Sequence, residues 1–270
     1  MSRLAHWSWP MLIIMLCAVP SLARSQSTAA ITQTGNMNVP RVSQSMTLLM
    51  DGKVLIAGGI HDGVPTASAE LYDPSTGKFT ATGSMSVPRY HHFATLLPDG
   101  TVYMVGGIQP TFADETDDIF QNTEIYDPVS GTFSVAGALP YSFVTALSSV
   151  ILLNNGSLLM LGQTLEGANG DSALVDPVTG LFAFGAVTPW AVNGAGVLLP
   201  GGNVIAFPTA GQMPEVETYS PLTSIFTASS WPFSSFGTDD EGDTVQTGST
   251  AATAVLLPNG KVYLMTSGSL

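Results

Sequence analysis

From about residue 37 onward, apolar runs of four to six residues alternate with clusters of Gly, Pro, Asp, Asn and Ser. No stretch settles into a helical period, and the short runs bounded by turn residues predict strands. In the first clear copy these are Ser45–Met50, Lys53–Ala57, Ser68–Tyr72 and Lys78–Thr82. The pattern then repeats. Met37-Asn-Val-Pro-Arg41 returns as Met85-Ser-Val-Pro-Arg89, and Thr47–Gly59 returns as Thr95–Gly107, 48 positions later in both cases. Glu70-Leu-Tyr-Asp-Pro74 returns as Glu124-Ile-Tyr-Asp-Pro128, with Phe79 and Phe133 each five residues beyond. More divergent copies carry Asn155-Gly156, Gly201-Gly202 and Asn259-Gly260 at the first turn, and Leu174–Pro177 with Phe182 or Glu217–Pro221 with Phe226 at the second.

Asp-Gly or Asn-Gly between the first two strands predicts a hairpin, because these residues tolerate positive φ. Asp-Pro-x-x-Gly between the third and fourth predicts another tight turn, Pro fixing φ and Gly closing it. A four-stranded unit cannot bury both faces alone, so successive units must stack, which predicts a β-propeller. The Gly-Gly pair after the second strand, the Glu-x-Tyr-Asp-Pro segment and the following aromatic resemble kelch repeats, with Phe where that family more often has Trp. The resemblance runs from about residue 30 to residue 270. It implies an all-β, bacterial, exported propeller related to the galactose-oxidase-like superfamily.

The repeats fall at about 37–84, 85–136, 137–186, 187–230 and 231–270, the last partial. Residues 30–36 resemble an isolated fourth strand that completes the last blade. About five four-stranded antiparallel blades are therefore expected, the last incomplete. The family usually has about six or seven, so the expectation is either a fragment of such a ring or a five-bladed ring with a three-stranded last blade.

The segment before the repeats reads as an address. Arg3 and His6 precede the apolar run Met11–Val19, broken by Pro20, and Ser21-Leu-Ala23 supplies small residues for signal peptidase. The run is too short to span a bilayer. Cleavage after Ala23 would leave residues 24–270 as the propeller, secreted or periplasmic, with no transmembrane segment. It would also remove Cys17, the only cysteine, and with it any disulfide or thiolate site.

Charge narrows the function classes. The chain has 7 Lys+Arg against 20 Asp+Glu, a net charge of −13, which excludes a phosphate-backbone partner and hence nucleic acid. Eight of the carboxylates sit at repeat positions: Asp51, Glu70, Asp73, Asp99, Glu124, Asp127, Asp176 and Glu217. Those are expected to shape turns or to accept backbone N–H groups. The other twelve fall in irregular loops after the second strand or between blades, which antiparallel blades place together at one end. Irregular loops on a rigid scaffold are where binding is expected.

The candidate binding residues are His61, Asp62, Asp114, Asp117, Asp118, Asp239, Asp240, Glu241 and Asp243. Asp239, Glu241 and Asp243 are an oxygen-rich set suited to Ca²⁺, although the Gly and distal Glu of a complete calcium loop are missing. Arg41, Arg89 and His92 are expected, from the kelch resemblance, in blade packing and at the channel rim.

No residue carries a catalytic signature: there is no nucleophile elbow, P-loop or metalloprotease helix. Without cysteine, the copper site implied by a resemblance to galactose oxidase cannot form. A resemblance to sialidases would imply Asp-box turns and an arginine triad, but after cleavage only Arg24, Arg41 and Arg89 would remain, with Arg24 next to the cut, so a sialidase is not expected. The expected function is a binding or scaffold module, monomeric, with a protein or glycan ligand. The alternatives are a carbohydrate-active enzyme such as a sugar mutarotase, or a truncated propeller without separate activity.

Overall fold

The computed structural model describes residues 34–110, 117–119, 122–139, 146–163, 170–185, 195–207, 215–230, 237–238, 244–245 and 250–267. Two units separate, 1–33 and 34–270, and the described residues belong to the second. They contain strands and turns and no helix.

The first blade runs β1 (Ser45–Leu48), β2 (Val54–Ala57), the two-residue strands β3 (Ile60–His61) and β4 (Val64–Pro65), β5 (Ala69–Asp73) and β6 (Lys78–Ala81). Its sheet order is β1-β2-β5-β6, and β3 pairs with β4 as a separate hairpin. The second blade repeats this with β7 (Phe93–Leu96), β8 (Val102–Val105), the side hairpin β9 (Ile108–Pro110) and β10 (Asp117–Ile119), β11 (Asn122–Asp127) and β12 (Thr132–Ala138). The third consists of β13 (Ala146–Leu152), β14 (Leu158–Gln163), β15 (Gly170–Val175) and β16 (Phe182–Phe184). The fourth comprises β17 (Gly196–Leu198), β18 (Val204–Ala206), β19 (Glu215–Ser220) and β20 (Ile225–Ser230). After the short pair β21 (Gly237–Thr238) and β22 (Thr244–Val245), β23 (Thr250–Leu256) and β24 (Val262–Ser267) make a two-stranded fifth sheet.

All pairings are antiparallel, and the whole is the kelch-type arrangement of about five blades that the repeat predicts. The four expected strands of the first copy appear within one or two residues of their expected ends. The small hairpins β3–β4 and β9–β10 were not expected.

Successive blades stack through their faces. Leu49, Leu55 and Ala57 of the first blade bury against Val102, Met104 and Tyr126 of the second. Tyr103 and Val105 then meet Leu158 and Met160 of the third. Leu159 and Leu161 meet Val204 and Ala206 of the fourth, and Val197, Phe207 and Val216 meet Ala254, Leu256 and Val262 of the fifth. The first strands of successive blades, β1, β7, β13, β17 and β23, pack side by side. A strand alternates its side chains between two faces, so each blade buries one face against each neighbour.

Both turns repeat, with one revision. The first is a three-residue loop: Gly52 N–H donates to Leu49 C=O at 3.0 Å, and Leu49 N–H to Lys53 C=O at 2.8 Å. Only the glycine takes positive φ, 84° at Gly52 and 90° at Gly100. The aspartate instead accepts the N–H two residues on, Asp51 from Lys53 and Asp99 from Thr101, both at 3.0 Å. That is the geometry of a type I turn with a G1 bulge. The second turn closes by Gly77 N–H to Asp73 C=O and Gly131 N–H to Asp127 C=O, both at 2.8 Å. Ser224 fills the glycine position in the fourth blade and is held at φ 54°.

Residues 30–33 of the expected isolated strand lie outside the described residues, and 34–36 are not in a strand. Gly35 N–H instead donates to Gly77 C=O at 3.1 Å, as Gly83 N–H does to Gly131 C=O at 2.9 Å where the chain crosses from the first blade to the second.

Candidate functional site

Two chemistries separate along the blades. Where the chain enters a blade, Arg41 and Glu70 form a buried clamp. Arg41 Nη2 donates to Glu70 Oε1 at 3.0 Å, and Nη1 donates to the carbonyls of Gly58 at 3.0 Å and Ser68 at 2.6 Å. Glu70 Oε2 accepts Asn38 N–H and the Asn38 amide, both at 2.8 Å, and Oε1 accepts Val39 N–H at 2.9 Å. Burial alone would raise the Glu70 pKa, but these donors and Arg41 hold it below the usual carboxylate value.

The second blade repeats the clamp. Arg89 Nη2 donates to Glu124 Oε1 at 2.6 Å, and Nη1 to Asn122 C=O at 3.0 Å, while Glu124 Oε2 accepts Ser86 N–H at 2.9 Å. Burial pushes the Arg89 guanidinium down to about 10, with Glu124 opposing, so it stays charged at neutral pH. Neither guanidinium has any exposed surface. Arg41 and Arg89, expected in blade packing and at the channel rim, therefore bind the entering segment to the third strand, and neither can meet a substrate while its blade is closed.

Their pairing with Glu70 and Glu124 was missed from the sequence, because the partners stand 29 and 35 residues apart. The available signal was joint presence: the two strongest copies have both, whereas Ala173 stands at the Glu position of the third and no arginine follows Arg89. Glu217 is buried at the same position of the fourth blade.

His92 is buried at the junction of the first two blades, its Nε2 sharing a 2.8 Å hydrogen bond with Ser45 Oγ. Burial, then the charge of Arg89, pushes its pKa down to about 3, so the ring is neutral at ordinary pH. Gly58 fits beside it, because a Cβ there would come within 2.7 Å of the imidazole and 2.5 Å of Arg89 C=O. This is why the Gly-Gly pair recurs: it lets the next crossing lie against the second strand.

The remaining repeat carboxylates are occupied by their own turns. Asp73 accepts Ser75 N–H at 2.8 Å, Asp127 accepts Val129 N–H at 2.9 Å and Asp176 accepts Val178 N–H at 2.9 Å. Hydrogen bonds from Ser75 on Asp73, Val129 on Asp127 and Thr179 on Asp176 lower each pKa.

The loop candidates differ. His61 and Asp62 lie on the β3–β4 hairpin, between the second and third strands of the first blade's sheet. His61 Nδ1–H donates to Pro40 C=O at 2.7 Å, and its Nε2 lies 3.5 Å from Asp62 Oδ2. The Asp62 side chain is 90% exposed and its φ is 48°. Asp117 and Asp118 lie on β10, in the corresponding hairpin of the second blade, where their backbones pair with Pro110 and Gln109. Antiparallel connectivity puts both hairpins at the opposite end from the Asp-Gly and Asp-Pro turns. Asp114, Asp239, Asp240, Glu241 and Asp243 lie outside the described residues, including the whole proposed calcium set. Among the described residues, no three His, Cys, Asp or Glu side chains group as a metal site. No helix among them is long and apolar enough to cross a membrane.

Residues 47–86 match the family model for the kelch motif. The match begins within β1, takes in all of β2, β5 and β6, and supports a kelch-repeat protein. No curated protein matches the chain.

Proposed function

We propose that this protein is an exported kelch-type propeller that works as a binding module, taking a protein or glycan ligand on the loops at the end of the blades away from the Asp-Pro turns. The observation that carries the reading is the unequal commitment of the carboxylates. Glu70 and Glu124 are consumed by buried arginine clamps, and Asp51, Asp73, Asp99, Asp127 and Asp176 by their own turns. Asp62 has no such duty beyond its contact with His61 and projects from a hairpin added to the basic blade. Hairpins inserted between strands two and three cost little in a stacked scaffold and vary the surface without disturbing the blades.

The acidic loops, with Asp239, Glu241 and Asp243 among them, extend that reading to an anionic surface with a Ca²⁺ option. Glycan-array binding combined with a calcium titration followed by thermal melting tests it. Selective glycan binding, or a calcium-dependent rise in melting temperature, supports the module. No binding to any glycan together with no calcium effect would leave only a protein ligand, and failure of a panel of exported proteins to bind would then refute it.

A further inference from the structure

We propose that Asn155 and Asn259 are sites of spontaneous conversion to aspartate, a reaction that the closed turn restrains and whose aspartate product the blade accepts. Asn-Gly steps occur at Asn155, Asn169, Asn193 and Asn259. Asn169 and Asn193 lie outside the described residues. Asn155 joins β13 to β14 and Asn259 joins β23 to β24, each exposed in the turn where the first two blades carry Asp51 and Asp99. In such a step the glycine nitrogen, unhindered by a side chain, attacks the asparagine Cγ. An N–C bond forms, the bond from Cγ to the amide nitrogen breaks, and that nitrogen leaves as ammonia with the glycine's proton. Water then opens the resulting succinimide at either carbonyl, giving aspartate or its isoaspartyl isomer, and nothing is oxidised or reduced.

The folded turn ties down both reacting groups. Gly156 N–H donates to Leu153 C=O at 3.0 Å, and Gly260 N–H to Leu257 C=O at 2.9 Å, so the proton that the attack must remove is already engaged. The side-chain oxygens of Asn155 and Asn259 accept Ser157 N–H and Lys261 N–H, each at 3.0 Å, which fixes how the two amides are turned. Attack requires these bonds to break. The rate in the folded protein is therefore that of the free chain multiplied by the small fraction of time the turn stands open.

The two products differ in fit. Asp51 and Asp99 accept Lys53 and Thr101 N–H at the same 3.0 Å, beside glycines at φ 84° and 90°, where Gly156 has 87° and Gly260 79°. Aspartate at 155 or 259 thus enters a turn that already runs on aspartate elsewhere in the molecule, and it adds a negative charge there. The isoaspartyl isomer instead routes the main chain through Cβ and lengthens the loop. Leu153 N–H bonds Ser157 C=O at 2.9 Å and Leu257 N–H bonds Lys261 C=O at 2.8 Å across that loop, with the glycine bond inside it. A longer loop cannot keep both bonds.

Peptide mapping by mass spectrometry after incubation at mildly alkaline pH tests this, with the purified protein folded in one arm and unfolded in guanidinium chloride in the other. Conversion at Asn155 and Asn259 is expected in both arms, at least about tenfold slower in the folded one. A double variant, Asn155→Asp with Asn259→Asp, is expected to melt with the parent. Equal rates in the two arms overturn the proposal, because the turn would then offer no restraint. So does an absence of conversion in the unfolded arm, or a double variant that melts clearly below the parent.

Discussion

The second and third blades share strand order, turn geometry and stacking, yet their centres are chemically opposed. In the second, a guanidinium and a carboxylate are buried together, Arg89 with Glu124 at 2.6 Å. In the third, Ala173 stands at the glutamate's position and is wholly buried beside Val175 and Met160. The fold does not require the ion pair. An apolar residue serves at the same point because the blade needs only a filled junction and satisfied backbone groups. What the pair adds is a tie between the entering segment and the third strand, through Ser86 N–H and Asn122 C=O.

The sharpest way to break this comparison is Glu124→Ala, which leaves Arg89 charged and buried. Its expected cost is about 3–5 kcal/mol in denaturant unfolding. Adding Arg89→Leu should return part of the loss, with a coupling of about 0.5–3 kcal/mol in a double-mutant cycle. The converse change, Ala173→Glu, puts a carboxylate in the third blade with no arginine in that repeat. Unfolding at neutral pH should show a loss of about 3 kcal/mol that shrinks in acid, as the group is protonated.

Acid should also separate the first blade from the second. His92 has its folded pKa depressed to about 3, so the unfolded state binds the proton first. Its contribution is complete above about pH 6.5 and is lost as pH falls toward its folded value. His92→Gln, which copies Gln44 of the first blade, should flatten that window, by about 2 kcal/mol near pH 5. Glu70 acts with the same sign lower down: its depressed pKa stabilises above the unfolded carboxylate value and fails as pH drops through the folded one. The smallest effect distinguishes the turns. Ser224→Gly relieves a left-handed backbone at 54° and should stabilise by about 1 kcal/mol, measured as a rise in melting temperature.

Much of the fold was legible because each blade is written locally. Tyr72 and Phe79, Tyr126 and Phe133, and Tyr219 and Phe226 pair directly across adjacent strands with ring centroids 4.7–4.8 Å apart. The five-residue spacing from Pro to Phe is simply what that register and turn demand. The β3–β4 hairpin escaped because two-residue strands are too short for any periodicity to register. The first turn was misjudged because Asp51 and Gly52 have different tasks, one accepting an N–H and the other supplying positive φ. The arginine clamps escaped because nothing local links Arg41 to Glu70; only three-dimensional closure does. Of the candidate site, Asp62 was legible as a carboxylate outside the repeat pattern, whereas the proton and contact of His61 depend on Pro40, 21 residues earlier.

The division of labour between carboxylates that build blades and carboxylates that meet a ligand is tested most directly by one variant, Asp62→Asn with Asp117→Asn and Asp118→Asn. It should be compared with the parent by melting temperature and by binding to the glycan, calcium or protein that the screen identifies. The expected result is an unchanged melting temperature without ligand and a loss of binding of at least about tenfold. A variant that melts lower without ligand, or that binds as well as the parent, would contradict it.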